Sequence, residues 1–229
     1  MQLNVPRALA LYLAWTGLTC GALLVAIGGM LPFGLASIGP DGVFLCLVEV
    51  ELFFVTVLWP FFMPHLIRSK VEAVAKTVGP GAESHFLILQ VGVLLVVALP
   101  LALVTQDLSQ ITVGQFFRGH LLVGAIACFV TALVGQLGWT RTRPWYFLAF
   151  FTFSALFPFL GFLSGEIGGG SRLDFLAILS PFWAAAQLQP GASISWAPGA
   201  QAAIFGLLAV ALLASGPFLR PVDSTAGRD

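Results

Sequence analysis

Six long apolar runs, separated by short polar gaps, dominate the pattern of hydrophobic and polar positions along the 229-residue chain. An α-helix rises about 1.5 Å per residue, so about 20 apolar residues cross the roughly 30 Å hydrocarbon core of a bilayer. Each run is close to that length, and the pattern therefore predicts six transmembrane helices. The predicted spans cover residues 8–31, 43–67, 86–105, 116–139, 145–163 and 200–219.

A seventh apolar run, FLAILSPFWAAAQL at residues 175–188, does not fit this series. It has only 14 residues, and Ser180-Pro181 lies at its middle, where a spanning helix should be continuous. The run therefore predicts a re-entrant or interfacial helix between the fifth and sixth spans. The alternative is a seventh span, which would place the C-terminal tail outside the cell.

Basic residues are distributed asymmetrically over the gaps between the runs. Eight of the ten Lys and Arg residues fall in alternate gaps or at the two ends of the chain. These eight are Arg7, Arg68, Lys70, Lys76, Arg141, Arg143, Arg220 and Arg228. The opposite gaps carry acidic residues and only two basic ones, Arg118 and Arg172. By the positive-inside rule, both termini are predicted to be cytoplasmic.

The composition is typical of a protein whose surface is in contact with lipid rather than water. Hydrophobic residues make up 59% of the chain and charged residues only 9%, against about 25% charged residues in soluble domains. The net charge is zero, which leaves no basic surface for nucleic acid. We therefore expect an all-α polytopic membrane protein in which residues 1–229 form a single transmembrane domain.

The gap between the second and third runs, RSKVEAVAKTVGPGAES at residues 68–84, differs from the other gaps in its length and charge. Hydrophobic residues repeat in it at helical spacing, opposite Lys70, Glu72 and Lys76. The pattern predicts a short amphipathic helix that ends at Gly79-Pro80. In a chain without a soluble domain, such a helix either docks a partner protein or lies on the membrane surface.

Two acidic residues, Glu49 and Glu51, lie inside the second predicted span. A charged side chain near the bilayer centre costs about 2.5–3.5 kcal/mol on insertion scales, so each is a candidate functional residue. Residues two positions apart point about 200° away from each other on a helix, and the two carboxylates are not expected to form one site. Either they have structural roles, one in a hydrogen bond to a neighbouring helix and the other near the membrane interface, or they belong to a substrate or proton path.

No residue pattern in the chain predicts an enzyme, a metal site or a bound cofactor. His65 and His85 lie at similar depth and meet one condition for a haem pair, but histidines at helix ends are common. His120 is predicted to lie too far away in depth to join them. The sequence contains no Walker motif, no G-x-S-x-G and no HExxH pattern, so no catalytic residue is assigned.

Several segments carry a resemblance to a known family. The second span ends in PFFMPHLIRSK and leads into the charged segment, and the third, LQVGVLLVVALPLAL, has an internal proline. The fourth and fifth form LVGQLGWTRTRPWYFLAFFTF with a short basic turn, and LSPFWAA precedes the last span. In this order the parts resemble the membrane subunits of type-2 ABC exporters, which pair with a separate ATP-binding subunit. The resemblance covers most of residues 43–220.

The resemblance implies a function and a set of site residues. The chain would be a permease in the cytoplasmic membrane, within a homo- or heterodimer of permeases, and a partner ABC subunit would bind and hydrolyse ATP. Glu49 and Glu51 would lie on the substrate path. Coupling to the ATPase would involve the charged residues of segment 68–84, namely Arg68, Lys70, Glu72 and Lys76.

An alternative from a different class is a non-transporting accessory or scaffold subunit of a larger membrane complex, respiratory or photosynthetic. The low charge of the chain favours it. Bound pigment or haem in the purified protein would distinguish this alternative from an exporter.

Overall fold

The structure, a computed structural model, describes residues 2–3, 5–30, 40–68, 82–109, 111–137, 139–168, 174–189, 191–192 and 194–215. Nearly all of these residues are helical, and six helices are long and apolar enough to cross a membrane. The protein is therefore an all-α, multi-pass membrane protein with six spans, which confirms the predicted fold class. The cytoplasmic location of both termini stays a prediction.

The six spans follow one another in chain order, and two of them contain a π-helical turn. The four without such a turn are Val5–Met30 (first), Ala82–Ser109 (third), Val113–Leu137 (fourth) and Ala197–Ala214 (sixth). The second span consists of Pro40–Phe53, the π-helical turn Phe54–Leu58 and Trp59–Leu66. The fifth consists of Trp139–Phe151, the π-helical turn Thr152–Leu156 and Phe157–Gly168.

A two-residue strand pair joins the beginning of the first span to the end of the second. Gln2–Leu3 pairs antiparallel with Ile67–Arg68, and Gln2 lies opposite Arg68 in the register. The start of the first span and the end of the second are therefore bonded to each other, on the predicted cytoplasmic side. Since segment 68–84 begins at Arg68, its first residue is held beside the N-terminal strand.

The segment between the fifth and sixth spans contains two short helices, Asp174–Ala177 and Pro181–Ala186, neither of which is long enough to cross a membrane. Residues 178–180 separate them, and Ser180 is the N-cap of the second, because its hydroxyl accepts a hydrogen bond from the Trp183 N–H at 3.3 Å. Pro181 follows at the start of the helix, where its missing N–H is tolerated. Re-entry of this segment into the membrane stays a prediction.

The second and fifth spans share a local sequence pattern. Residues 54–62 read FVTVLWPFF and residues 152–160 read TFSALFPFL, so each has a hydroxyl-bearing residue four positions before a proline. Each stretch begins with the π-helical turn of its span. Proline lacks the N–H that would bond the carbonyl four residues earlier. Thr56 O, before Pro60, and Ser154 O, before Pro158, therefore need other donors.

Both of these carbonyl oxygens accept a hydrogen bond from a side-chain hydroxyl of another element. The Tyr146 hydroxyl of the fifth span donates to Thr56 O at 2.5 Å. The Ser180 hydroxyl donates to Ser154 O at 3.4 Å. Each irregular turn is thus a point where one element is bonded to another, with a short bond in the second span and a long one in the fifth.

The core of the bundle lies mainly among the first four spans and the short helix Pro181–Ala186. Two buried tryptophans connect pairs of spans. Trp15 Nε1 donates to Leu94 O at 2.8 Å, and Trp59 Nε1 donates to Thr131 Oγ1 at 2.8 Å. In the second span 56% of the residues are buried, against 6% in the fifth. The second span is therefore central and the fifth peripheral.

Candidate functional site

Glu51 is fully buried in the second span, within the helix Pro40–Phe53. Neither of its carboxylate oxygens accepts a hydrogen bond from a described residue. An ionised carboxylate can only accept hydrogen bonds, and burying one without donors is among the most unfavourable changes in a protein interior. Glu51 is therefore the core residue whose presence most requires a functional explanation.

The imidazole of His120, in the fourth span, faces Glu51. His120 Nε2 lies 4.0 Å from Glu51 Oε2 and has no hydrogen-bond partner among the described residues. His120 Nδ1 lies 3.0 Å from the backbone oxygen of Phe116, one turn earlier in the same helix. A carbonyl oxygen only accepts, so Nδ1 carries a hydrogen and donates it. The neutral ring therefore presents a bare, accepting Nε2 to the carboxyl group.

Aromatic rings surround the imidazole, and a glycine beside it allows the two spans to approach closely. The rings of Phe116 and Phe44 lie 4.4 Å and 5.8 Å from the imidazole, measured between centroids. A Cβ at Gly119 would lie 2.8 Å from Phe44 Cζ and 3.2 Å from Leu188 Cδ1. A larger residue would require the Phe44 ring or the Leu188 side chain to shift, so Gly119 allows close packing beside the two polar side chains.

The two members of the pair differ in exposure. The His120 side chain is 15% exposed, whereas that of Glu51 is 0% exposed. The imidazole therefore lies nearer the surface of the protein than the carboxyl group, although its Nε2 is itself buried.

The beginning of the fourth span fixes the neighbouring loop. Thr112 and Gln115 bond reciprocally as a capping box, with Thr112 N to Gln115 Oε1 at 2.9 Å and Gln115 N to Thr112 Oγ1 at 3.2 Å. Gln115 Nε2 also donates to Leu188 O at 2.7 Å, and Arg118 Nη1 donates to Ser195 O at 3.1 Å. Two side chains of the fourth span thus hold the loop that follows Pro181–Ala186 against the beginning of this span.

The structure brings Glu51 together with His120 and leaves Glu49 apart from them. Glu49 is partly exposed, on another side of the same helix. The backbone of Arg68 lies in the strand pair. The other predicted coupling residues, Lys70, Glu72 and Lys76, lie outside the described residues, as do the side chains of Arg68, His65 and His85.

The pairing of Glu51 with His120 is not among the predictions from the sequence. The membrane depth of His120 is compared there only with that of the other two histidines. The second and fourth spans run in the same direction, and both residues lie in the half of the span that starts from the predicted outer side. Glu51 lies eight residues after the predicted start of its span at residue 43, and His120 lies four residues after the start of its own at residue 116. This comparison would have placed the two within about 6 Å of each other in depth.

The sequence matches no family model, and no curated protein and no solved structure matches it. Across the ranges that the structure describes, no group of three or more His, Cys, Asp or Glu side chains could hold a metal ion. The chemistry of the candidate site is therefore that of one carboxyl group and one imidazole.

Proposed function

We propose that the chain is the permease subunit of an ATP-driven exporter of the type-2 ABC class, which moves a substrate across the cytoplasmic membrane. A separate ABC subunit binds and hydrolyses ATP, and two permeases, identical or different, form the transport unit. The observation that carries the proposal is the broken segment between the fifth and sixth spans, which packs into the bundle rather than extending away from it.

This segment is bonded to several spans at once. Pro181–Ala186 packs against the second, fourth and sixth spans, and Ser180 and Ala184 are fully buried. Gln201 of the sixth span donates to Ser180 O at 3.2 Å. Because this segment contacts several spans, a displacement of one span is transmitted through it to the others. Transport by alternation between two arrangements of packed helices requires such transmission. These contacts support transport over passive anchoring.

The strand pair supports the coupling role proposed for segment 68–84. Because Ile67–Arg68 is bonded to Gln2–Leu3, a force applied to the start of the segment acts on the first and second spans together. In the proposal, the ATPase contacts Arg68, Lys70, Glu72 and Lys76. Its closure on ATP then moves the first two spans against the rest of the bundle.

The second span also supplies the proposed polar groups of the substrate path. Glu51 lies between the second and fourth spans, and Glu49 is partly exposed on the same helix. A carboxyl group inside a membrane-spanning bundle is a functional candidate because insertion of a charged group is costly. We therefore place both acids along the path, with Glu51 at its deeper point.

The test is co-purification from cells that express the full-length chain, carrying a C-terminal tag, together with its neighbouring genes. The expected result is a complex with a protein that contains a P-loop, identified by mass spectrometry, and ATPase activity of the complex in liposomes. The charge-reversing double variant Lys70→Glu/Lys76→Glu should lose the ATPase. Arg172→Glu is the matched control, because it also reverses a positive charge but in a gap on the predicted outer side, and it should leave the complex intact.

Two results would overturn the exporter proposal. One is a purified chain that never carries a nucleotide-binding protein, even when the candidate ATPase is co-expressed. The other is a stable association with a respiratory or photosynthetic complex, accompanied by haem or pigment absorbance. The second result would establish the accessory or scaffold alternative.

A further inference from the structure

When Glu51 is ionised and His120 is neutral, no hydrogen lies between their facing atoms. With Nδ1 donating to Phe116 O, the neutral imidazole offers only a lone pair at Nε2, and an ionised carboxylate offers only lone pairs as well. Two acceptors 4.0 Å apart, with no other described hydrogen-bond partner, repel each other. One proton removes that repulsion, whichever of the two groups carries it.

We propose that Glu51 and His120 form a binding site for a single proton inside the membrane-spanning bundle. The proton comes from water and returns to it, and it resides either on the carboxyl group, which then donates to Nε2, or on Nε2, which then donates to the carboxylate. In both forms the two side chains close from 4.0 Å to hydrogen-bond distance, and the proton links the second span to the fourth. The proposal goes beyond the exporter function and holds equally for a chain that transports nothing.

The surroundings favour a proton over a larger ligand. A metal ion would require further ligands, and the described residues offer no third His, Cys, Asp or Glu side chain at the site. The rings of Phe44 and Phe116 pack on the imidazole, and even a Cβ at Gly119 would meet Phe44 and Leu188 at 3.2 Å or less. The smallest ligand that supplies a hydrogen-bond donor is the proton itself.

Few other charges surround the pair. The helix Pro40–Phe53 packs against the first, third and fourth spans and against Pro181–Ala186, and the last of these has no ionisable side chain. The other ionisable side chains described on this helix and on the three spans are Arg7, Tyr12, Cys20, Cys46, Glu49, Asp107, Arg118 and Cys128. Among the described residues, His120 is the one basic group within ion-pair distance of Glu51.

The imidazole is the more accessible member of the pair. His120 is 15% exposed and Glu51 is 0% exposed, so in the proposal the proton enters and leaves from the side of the imidazole. Removing it leaves two facing acceptors, which loosens the contact between the second and fourth spans. The packing of the second span against the fourth thus depends on whether the proton is bound.

The test follows both groups by magnetic resonance in the full-length protein in lipid nanodiscs, with ¹⁵N-labelled histidine and ¹³C-carboxyl-labelled glutamate. Two groups that share one proton respond to the same titration step. We therefore expect the His120 Nε2 signal and the Glu51 carboxyl signal to change at one common pH midpoint. His65→Gln and His85→Gln assign the histidine signals.

Glu51→Gln is the decisive variant, because its amide donates to the bare Nε2 and keeps the shape of the side chain. The His120 midpoint should move by about one pH unit or more. Glu49→Gln, two positions away on the same helix, should leave that midpoint unchanged. If Glu51→Gln fails to fold, His120→Gln supplies the reciprocal measurement on the Glu51 carboxyl signal. Separate midpoints for the two groups, or equal effects of Glu49→Gln and Glu51→Gln, would overturn the proposal.

Discussion

The second and fifth spans are built from similar sequence and occupy opposite environments. Both are strongly apolar, with mean hydropathies of 2.1 and 1.9, and both carry a π-helical turn and a proline four residues after a Thr or Ser. Yet 56% of the second span is buried and only 6% of the fifth. Apolar composition therefore indicates that a segment crosses the membrane, but not whether its side chains contact protein or lipid.

The difference extends to the freed carbonyl groups. Thr56 O is buried and receives the Tyr146 hydroxyl at 2.5 Å, whereas Ser154 O receives the Ser180 hydroxyl at 3.4 Å, near the limit of a hydrogen bond. The turn in the second span has three buried residues, and the turn in the fifth has none. The same irregularity is thus held firmly by the core in one span and weakly at the periphery in the other.

The largest expected effect comes from tryptophans in the two spans. Trp59 is fully buried and donates to Thr131 Oγ1, so Trp59→Ala should lower the free energy of unfolding by about 3–5 kcal/mol. Trp145 in the fifth span is 72% exposed, and Trp145→Ala should change the free energy of unfolding by less than about 0.5 kcal/mol. Denaturation in detergent micelles measures both. Similar losses for the two variants would remove the contrast between the spans.

Gly119→Ala tests how tightly the second span is held. Its Cβ would meet the buried ring of Phe44 at 2.8 Å, and overpacking of this kind costs about 1–3 kcal/mol. Gly17 in the first span has no atom within 4 Å of such a Cβ, so Gly17→Ala is the matched control and should stabilise the helix by about 0.5–1 kcal/mol. A neutral Gly119→Ala in the same denaturation measurement would mean that the fourth span does not depend on this contact.

A smaller effect is expected at the hydroxyl that reaches the second span. Tyr146→Phe leaves Thr56 O without this donor and should cost about 1–2 kcal/mol. Thr152→Val removes a hydroxyl of the fifth span whose bond among the described residues is to Leu148 O of its own helix, and should cost less than about 0.5 kcal/mol. Melting temperatures of the purified variants provide the comparison. Equal shifts would show that the contact between the two spans adds nothing to stability.

The sequence allowed the spans and the break between the last two to be predicted, because span length and the position of Ser180-Pro181 depend on local properties of the chain. Glu51 was identified as a candidate by the same kind of argument, from the cost of an acid in the bilayer. The burial of the second span and the contact of Glu51 with His120 depend on how helices pack laterally. Hydropathy carries no information on that packing when the solvent is as apolar as the core.

The strand pair between Gln2–Leu3 and Ile67–Arg68 has a consequence for the insertion of the protein into the membrane during synthesis. Once Arg68 has left the ribosome, Gln2 and Leu3 can pair with the residues that close the second span. The first and second spans can then be joined before the third span enters the bilayer. The later spans thus assemble on two helices whose ends are already bonded to each other.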